Sequence, residues 1–347
     1  MTVFKQKDYD DHETVVFCRD PHAGLTAIIA VHSTVLGPAV GGCRMWTYED
    51  DDQALTDALR LSRGMTYKNA MAGLHFGGGK AVIVGDAKTQ KTPELFKAFG
   101  RFMNQLNGAY ITAEDVGISP SDMTIVNTVT DHVSGLEGKS GDPSPLTARG
   151  TYQGIRAALK YKHGKDDLNG IRVSVQGVGH VGYYLCELLH NAGAELVVSD
   201  VNQECLDRVV AEFNATVVAV DEIFDADVDV YSPCALGASL NDDTISRLKC
   251  SVIGGAANNQ LAEDRHGQML QDRGILYCPD YVINAGGIIN ISFEGDYSRA
   301  AAEQKVDEIY YTLLRIFDRS SQEGTPTNLI ADTMAQEIIN DARRMKS

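Results

Sequence analysis

Three observations predict an α/β protein of two domains, the second of them a doubly wound parallel sheet. The chain has 347 residues, more than one hydrophobic core usually organises. Strand-like apolar runs alternate with helical patterns along most of its length, as in a sheet covered by helices. One stretch, residues 171–200, has the order strand, glycine turn, helix, strand of a dinucleotide-binding βαβ unit. There Ile171, Val173 and Val175 lead into Gly177, Gly179 and Gly182, a helical pattern follows through Leu185, Leu188 and Leu189, and the next strand ends in Asp200. Gly177 suits a tight turn, Gly179 a close backbone approach to a pyrophosphate, and Gly182 close packing of the helix. Val178, His180, Val181 and Tyr183 complete the turn and the helix N-terminus that faces the phosphates, and Asp200 is placed for the ribose hydroxyls. A Rossmann unit that holds no cofactor is the alternative.

The bulk composition narrows the function. Hydrophobic residues make up 44% and charged residues 22%, a globular rather than a disordered balance. A net charge of −16 without any lysine or arginine cluster argues against nucleic acid as a partner. The seven cysteines are odd in number, scattered, and lack C-x-x-C spacing, so they read as reduced core thiols of a cytoplasmic protein. The N-terminus has no apolar signal core, and no run approaches the roughly 18 apolar residues of a membrane span. Neither secretion nor a membrane is expected. His32, His132 and His266 have no metal-ligand spacing, so no metal is expected.

In chain order, strands are expected at residues 14–18 and 25–32, the second ended by Gly37 and Pro38. Residues 50–65 form an amphipathic helix through Ala54, Leu55, Ala58, Leu59, Ser62 and Met65, and Lys68 follows it. Gly77, Gly78 and Gly79 precede Lys80 and a buried strand at 81–84. A helix at 93–106 leads to a strand at 110–113, then Glu114 and Asp115, and Ser119 with Pro120 starts another helix. Asp115 thus falls in a strand-to-helix loop, a common place for a functional acid. The Gly, Ser and Pro content of residues 134–145 marks a domain boundary, with a hinge at 136–144. The first domain takes residues 1–135 with about 325–347, and the second 145–324. Thr147 is expected to cap the next helix. Beyond the βαβ unit, strands at 216–218, 228–232, 251–253 and 275–277 bring the sheet to six. Residues 254–261 and 279–287 place amides and small residues at strand ends, where such sheets bind ligands. One long amphipathic helix runs beyond Ala300, and a last one from about Asn328 packs back on the first domain.

Lys68 and Lys80 are the candidates for chemistry. Two ammonium groups sharing a cleft depress each other's proton affinity, and burial acts in the same direction. One lysine can then serve as a base while the other holds a carboxylate, with Asp115 as proton carrier. Spacing alone leaves all three equally open to being surface charges near glycine turns.

At these residues the chain resembles the glutamate, leucine, phenylalanine and valine dehydrogenases, nearest the leucine branch. The resemblance rests on GPAVGGCRM (37–45), GMTYKNA (64–70), FGGGKAVI (76–83), ITAEDVG (111–117), GAANNQL (255–261) and PDYVINAGG (279–287), in order and over nearly the whole chain. It implies a catalytic domain and a Rossmann domain separated by an active-site cleft. It also implies NAD as cofactor, reversible oxidative deamination of an L-amino acid to a 2-oxo acid and ammonia, and a homo-oligomer, dimer or octamer. By the same resemblance Lys80 activates water, Lys68 binds the substrate α-carboxylate and Asp115 shuttles protons at the amino nitrogen. Gly41 and Asn284 line the cleft, and Thr147 and Asn259 lie near the nicotinamide. His180, Gly182 and His75 depart from the leucine branch, and both the linker and the C-terminal tail are shorter.

The resemblance implies a side-chain pocket of Val40, Ala113, Ser134, Ile288 and Ile291. Glutamate-preferring relatives carry lysine at the position of Val40, and aromatic-preferring relatives tend to have glycine at that of Ala113. A branched-chain aliphatic substrate is therefore expected, leucine ahead of valine and isoleucine. An aromatic substrate, phenylalanine or tryptophan, is the alternative. A non-catalytic NAD-binding protein is a further one, disfavoured by the presence of Lys68, Lys80 and Asp115 together. Cys234 as a nucleophile is another, disfavoured because no acid or base accompanies it.

Overall fold

In the computed structural model, which describes residues 3–136, 141–235, 237–295 and 297–346, strand β2 (Leu25–Ser33) shows how the first layers form. Its side chains alternate between two cores, as a strand buried on both faces must. Ala27, Ile29 and Val31 pack with Leu95, Phe96, Phe99 and Met103 of the helix Pro93–Gln105, whereas Ile28 and Ala30 pack with Ala54, Leu55, Ala58 and Leu59 of the helix Asp51–Met71. The chain forms two units: Met1–Gly141 with Ile291–Tyr297 and Ala335–Ser347, and Asp142–Asn290 with Ser298–Met334.

In the first unit β1 (Thr14–Asp20), β2, β3 (Ala39–Trp46), β4 (Gly77–Val84) and β5 (Tyr110–Glu114) form a mixed sheet in the order β1-β2-β4-β3-β5. β2 runs antiparallel to β1 and β4, and β3 runs parallel to β4 and β5. Helices α1 (Asp51–Met71), α2 (Pro93–Gln105) and α3 (Pro120–Asn127) connect them. Asp50 caps α1 by accepting from Gln53 N, and Ser119 with Asp122 closes a capping box on α3.

Two expectations are corrected here, and one strand is added. The helix expected to stop at 65 runs on to Met71, so Lys68 lies in its last turn rather than after it. The strand expected at 81–84 starts at Gly77, so the three glycines and Lys80 belong to β4. The motif at 37–45 is itself a strand, β3, which occupies the middle of the sheet between β4 and β5.

The second unit is an all-parallel sheet of six strands: β6 (Arg172–Gln176), β7 (Glu195–Ser199), β8 (Thr216–Val217), β9 (Val230–Pro233), β10 (Val252–Ile253) and β11 (Leu276–Tyr277). Their order, β11-β10-β9-β6-β7-β8, is the doubly wound order, with the chain reversing direction across the sheet between β6 and β9. Helices α4 (Ser144–His163), α5 (His180–Asn191), α6 (Gln203–Phe213), α7 (Asp242–Ile245) and α8 (Arg265–Asp272) belong to this unit. They are followed by α9 (Asp280–Ile283), α10 (Gly286–Ser292), α11 (Arg299–Asp307), α12 (Ile309–Glu323) and α13 (Thr327–Lys346). The long helix expected beyond Ala300 is thus two, divided at Glu308. Of the expected hinge, residues 137–140 lie outside the described residues. Thr147 is not a cap, because α4 begins three residues earlier and Thr147 lies in its first turn, donating to Pro143 O. Among the described residues no helix is long and apolar enough to cross a membrane.

Candidate active site

β4 and the loop after β5 bring Lys80 and Asp115 together. Lys80 is buried in the strand, and its Nζ lies 2.6 Å from Asp115 Oδ2. The same oxygen accepts from Arg44 Nε of β3 at 3.1 Å. Burial alone pushes the Asp115 carboxyl up, but the charges of Lys80 and Arg44 outweigh it and hold the group below the ordinary carboxylate range. A carboxylate and an ammonium in hydrogen-bond contact, shielded from bulk water, can pass a proton to a reacting group and take it back. Sequence reasoning placed Lys80 and Asp115 but gave Arg44 no role. Its signal was present in the GGCRM run, as the only cation in that strand.

The glycines are explained by the walls they touch. A Cβ at Gly77 would lie 1.9 Å from Ser33 O, one at Gly78 2.1 Å from Thr66 N, and one at Gly79 2.6 Å from Tyr110 Cδ2. The run therefore lets backbone and ring approach the strand, which is what sets Lys80 against its neighbours. Gly41 is equally constrained, since a Cβ there would meet Gly79 O at 1.9 Å, and its carbonyl accepts from the Tyr110 hydroxyl at 2.7 Å. Lys68 is half-buried on α1, beside Asn69, whose amide donates to Gly77 O at 2.6 Å.

Of the expected substrate wall, Val40, Ala113, Ser134 and Ile291 fall in the first unit and Ile288 and Asn284 in the second. Val40 and Ala113 are buried. Ser134 N donates to Thr112 O at 2.8 Å, which lays Ser134 alongside the strand of Ala113. Gly135 N donates to Glu294 Oε1 at 2.8 Å, which ties the segment of Ile291 to the same place. Ile288 is buried on α10.

The dinucleotide signature folds as its glycines require. Gly177 has φ +91°, the left-handed region where glycine is favoured. A Cβ at Gly182 would lie 2.0 Å from Gly177 O, whereas one at Gly179 meets nothing within 4 Å. Backbone is thus packed where helix meets strand and open where a ligand must approach. His180 is exposed, with Val181 and Tyr183 partly so, and the first turn of α5 carries neither an acid nor a side-chain cap. Its N–H groups suit an anion. Asp200 follows β7 directly rather than ending the strand, its Oδ2 accepting from Val178 N at 2.7 Å and its Oδ1 from Asn202 N at 2.8 Å, so the carboxylate is locked at the turn. Gly286 and Gly287 of α10 pack on Leu146 and Thr147, where a Cβ would lie 1.9 Å from Leu146 O and 3.0 Å from Thr147 Oγ1. Asn259 is exposed with φ +51°. Asn284 donates to Ala256 O and to Asn258 Oδ1 at 2.7 Å, while its buried Oδ1 has no partner among the described residues. That leaves a fixed acceptor for a ligand donor. These residues fit a nicotinamide dinucleotide.

Cys234 is partly buried and burial pushes its thiol up, the opposite of an activated nucleophile. Among the described residues no group of His, Cys, Asp or Glu could hold a metal ion.

The chain is similar to known proteins. Residues 12–132 match the Glu/Leu/Phe/Val dehydrogenase dimerisation domain, and residues 138–207 and 200–342 match the Glutamate/Leucine/Phenylalanine/Valine dehydrogenase domain. The whole chain is 53% identical to a leucine dehydrogenase of Thermoactinomyces intermedius, spanning 96% of that protein. It is also 47% identical, over its full length and 99% of the relative, to an L-tryptophan dehydrogenase of Nostoc punctiforme. A crystal structure of L-tryptophan dehydrogenase from Nostoc punctiforme superposes with a TM-score of 0.86 at 46% identity, over 96% of this chain and 97% of that one. With both units matched and the signature residues in place, the chain belongs to the Glu/Leu/Phe/Val dehydrogenase family.

Proposed function

We propose that this chain catalyses the NAD-dependent, reversible oxidative deamination of branched-chain aliphatic L-amino acids, leucine first, to the 2-oxo acid and ammonia. The observation that carries the chemistry is the buried Lys80–Asp115 contact of 2.6 Å. Relatives named leucine dehydrogenase at 50–53% identity support the substrate class. Gly177, Gly179 and Gly182 with the N-terminus of α5 would hold the pyrophosphate, and Asp200 the ribose. When bound, the nicotinamide supplies a hydride acceptor. Lys68 neutralises the substrate α-carboxylate and so orients the α-hydrogen, a proximity effect. The Asp115 carboxylate takes the proton from the substrate ammonium, leaving an amine that can become an imine. Lys80 in its neutral form then takes a proton from the water that attacks the imino carbon, and Asp115 returns its proton to the amino nitrogen, so that the C–N bond breaks with ammonia as the leaving group and the 2-oxo acid is left. Asp200 favours NAD, since a carboxylate repels a 2′-phosphate. A homo-oligomer and a cytoplasmic location complete the proposal.

Substrate choice follows from the wall. Val40 is 1% exposed and offers no charge to a substrate carboxylate, so glutamate would bury one unpaired at a cost of several kcal/mol. Leucine, valine and isoleucine differ by single methylenes or branch points, each worth about 10 to 200-fold. The L-tryptophan dehydrogenase relative at 47% identity favours an aromatic substrate as the second reading. The test is kcat/KM for leucine, valine, isoleucine, phenylalanine, tryptophan and glutamate with NAD and with NADP. Leucine leading with NAD is expected; phenylalanine or tryptophan ahead of every aliphatic substrate would overturn the assignment.

A further inference from the structure

The Asp115 carboxylate meets two cations on one oxygen, and the reaction as proposed uses only one of them. Lys80 Nζ reaches Oδ2 at 2.6 Å and Arg44 Nε at 3.1 Å. Arg44 is held at its other end as well, its Nη1 donating to Asp57 Oδ2 of α1 at 3.0 Å. That Asp57 oxygen also accepts from the Tyr48 hydroxyl at 2.7 Å. The Arg44 side chain is only 22% exposed. An arginine fixed at both ends, between a helix and a candidate proton carrier, is part of the site rather than a solvated charge.

The two cations differ in what they can do. Lysine must give up its ammonium proton before it can act as a base, whereas guanidinium keeps its charge throughout the working pH range. At the moment Lys80 is neutral, a half-buried Asp115 with no other partner would be poorly compensated and would take up the proton itself. A permanent positive charge on the same oxygen prevents this. We propose that Arg44 is a positioning residue for the acid–base pair: its guanidinium keeps Asp115 ionised and oriented while Lys80 passes its proton. This inference rests on the reading of Lys80 and Asp115 as that pair.

The other groups around Asp115 do not supply the same charge. From β3, Cys43 is fully buried and burial pushes its thiol far up, so it stays neutral. Asp57 of α1 accepts from Arg44 and from the Tyr48 hydroxyl. On α3, Asp122 is occupied by Lys91 at 2.5 Å. Arg44 is therefore the cation that the structure sets on Asp115 beside Lys80.

The experiment measures the pH dependence of kcat/KM for leucine deamination in wild type, Arg44→Gln, Arg44→Lys and Asp115→Asn. Loss of the fixed charge in Arg44→Gln should move the acid limb, which reports Asp115 ionisation, up by about one pH unit. Its kcat should fall about 10 to 100-fold, with KM for leucine within about threefold of wild type because Arg44 acts through Asp115. Arg44→Lys keeps a cation but cannot bridge Asp115 and Asp57 as a fork, so the limb should return to its wild-type position with kcat still about tenfold low. An acid limb in Arg44→Gln that coincides with wild type would overturn the inference. If Arg44→Gln does not fold, Arg44→Lys decides alone, and wild-type turnover at every pH would overturn it. Asp115→Asn separates the two failures: full activity there refutes the acid–base pair itself, whereas an inactive Asp115→Asn with an unmoved limb in Arg44→Gln refutes only the role of Arg44.

Discussion

At the scale of single residues, the function turns on a lysine that a strand keeps out of water and a carboxylate that meets it. Lys80 is 6% exposed, and burying a charge to that degree is tolerated only because Asp115 accepts it at 2.6 Å. Removing Lys80 deletes the base and leaves Asp115 with Arg44, so the site keeps a compensated carboxylate and the fold should survive. Lys80→Ala is therefore expected to lower kcat by about 10²–10⁴-fold, the usual worth of a positioned acid–base group. NAD affinity should stay within about threefold, because the glycine turn, α5 and Asp200 lie in the other unit. Stopped-flow turnover and fluorescence titration of NADH measure both. Near-normal deamination by this variant would refute the mechanism. Lys80 and Asp115 were legible as candidates from their settings, but their contact was not, since 35 residues separate them and only the parallel pairing of β3 with both β4 and β5 closes the gap.

At the scale of elements, legibility followed the range of the forces that shape each one. The βαβ unit was readable throughout because its strand, turn and helix signals are local and agree with one another. β3 was missed because Gly41 and Gly42 dilute its apolar pattern, and its pairing partners are distant in sequence. α1 was read short because the polar Thr66, Lys68 and Asn69 break the apolar spacing beyond Met65, yet packing of the helix against β4 carries it on to Met71. Each of the three glycines before Lys80 meets a neighbour that no local window contains. A pair of substitutions tests this account of α1 on β4. Gly64→Ala meets nothing within 4 Å in a helix interior and should stabilise by about 0.5–1 kcal/mol. Gly78→Ala would set a Cβ 2.1 Å from the Thr66 backbone and should cost about 1–3 kcal/mol or more, with turnover reduced as Lys80 shifts. Urea unfolding of both variants is the measurement, and a harmless Gly78→Ala would contradict the packing described.

At the scale of the whole molecule, stability should weaken in mild acid because the first unit buries a pair of neutral histidines. His12 and His32 are 5% and 4% exposed, with ring centroids 4.9 Å apart. His12 Nδ1 accepts from Asp10 N at 3.1 Å and its Nε2 lies 3.0 Å from Leu59 O, which fixes the neutral tautomer that donates from Nε2. His32 Nδ1 lies 2.8 Å from Thr66 Oγ1, so the same cluster helps to hold α1 on the sheet that carries Lys80. Burial, then the neighbouring His12, push His32 down to about 4, against the pull of Asp10, with Arg63 and Arg343 adding to the push. Burial lowers His12 also. For a base whose folded value lies below its unfolded one, stability is whole above the unfolded value and is lost as pH falls toward the folded one. The window here runs from about 6.5 down to about 4, above the range in which the depressed carboxylates of Asp122 and Asp307 begin to matter. A fall from 6.5 to about 4 corresponds to roughly 3 kcal/mol, of which about 2 should be gone by pH 5. In His32→Asn the amide can still reach Thr66 but has nothing to titrate, so the variant should be less stable than wild type at pH 7.5 yet lose less on going to pH 5. Urea unfolding at the two pH values measures the difference. An equal acid-induced loss in wild type and His32→Asn would show that the sensitivity lies elsewhere.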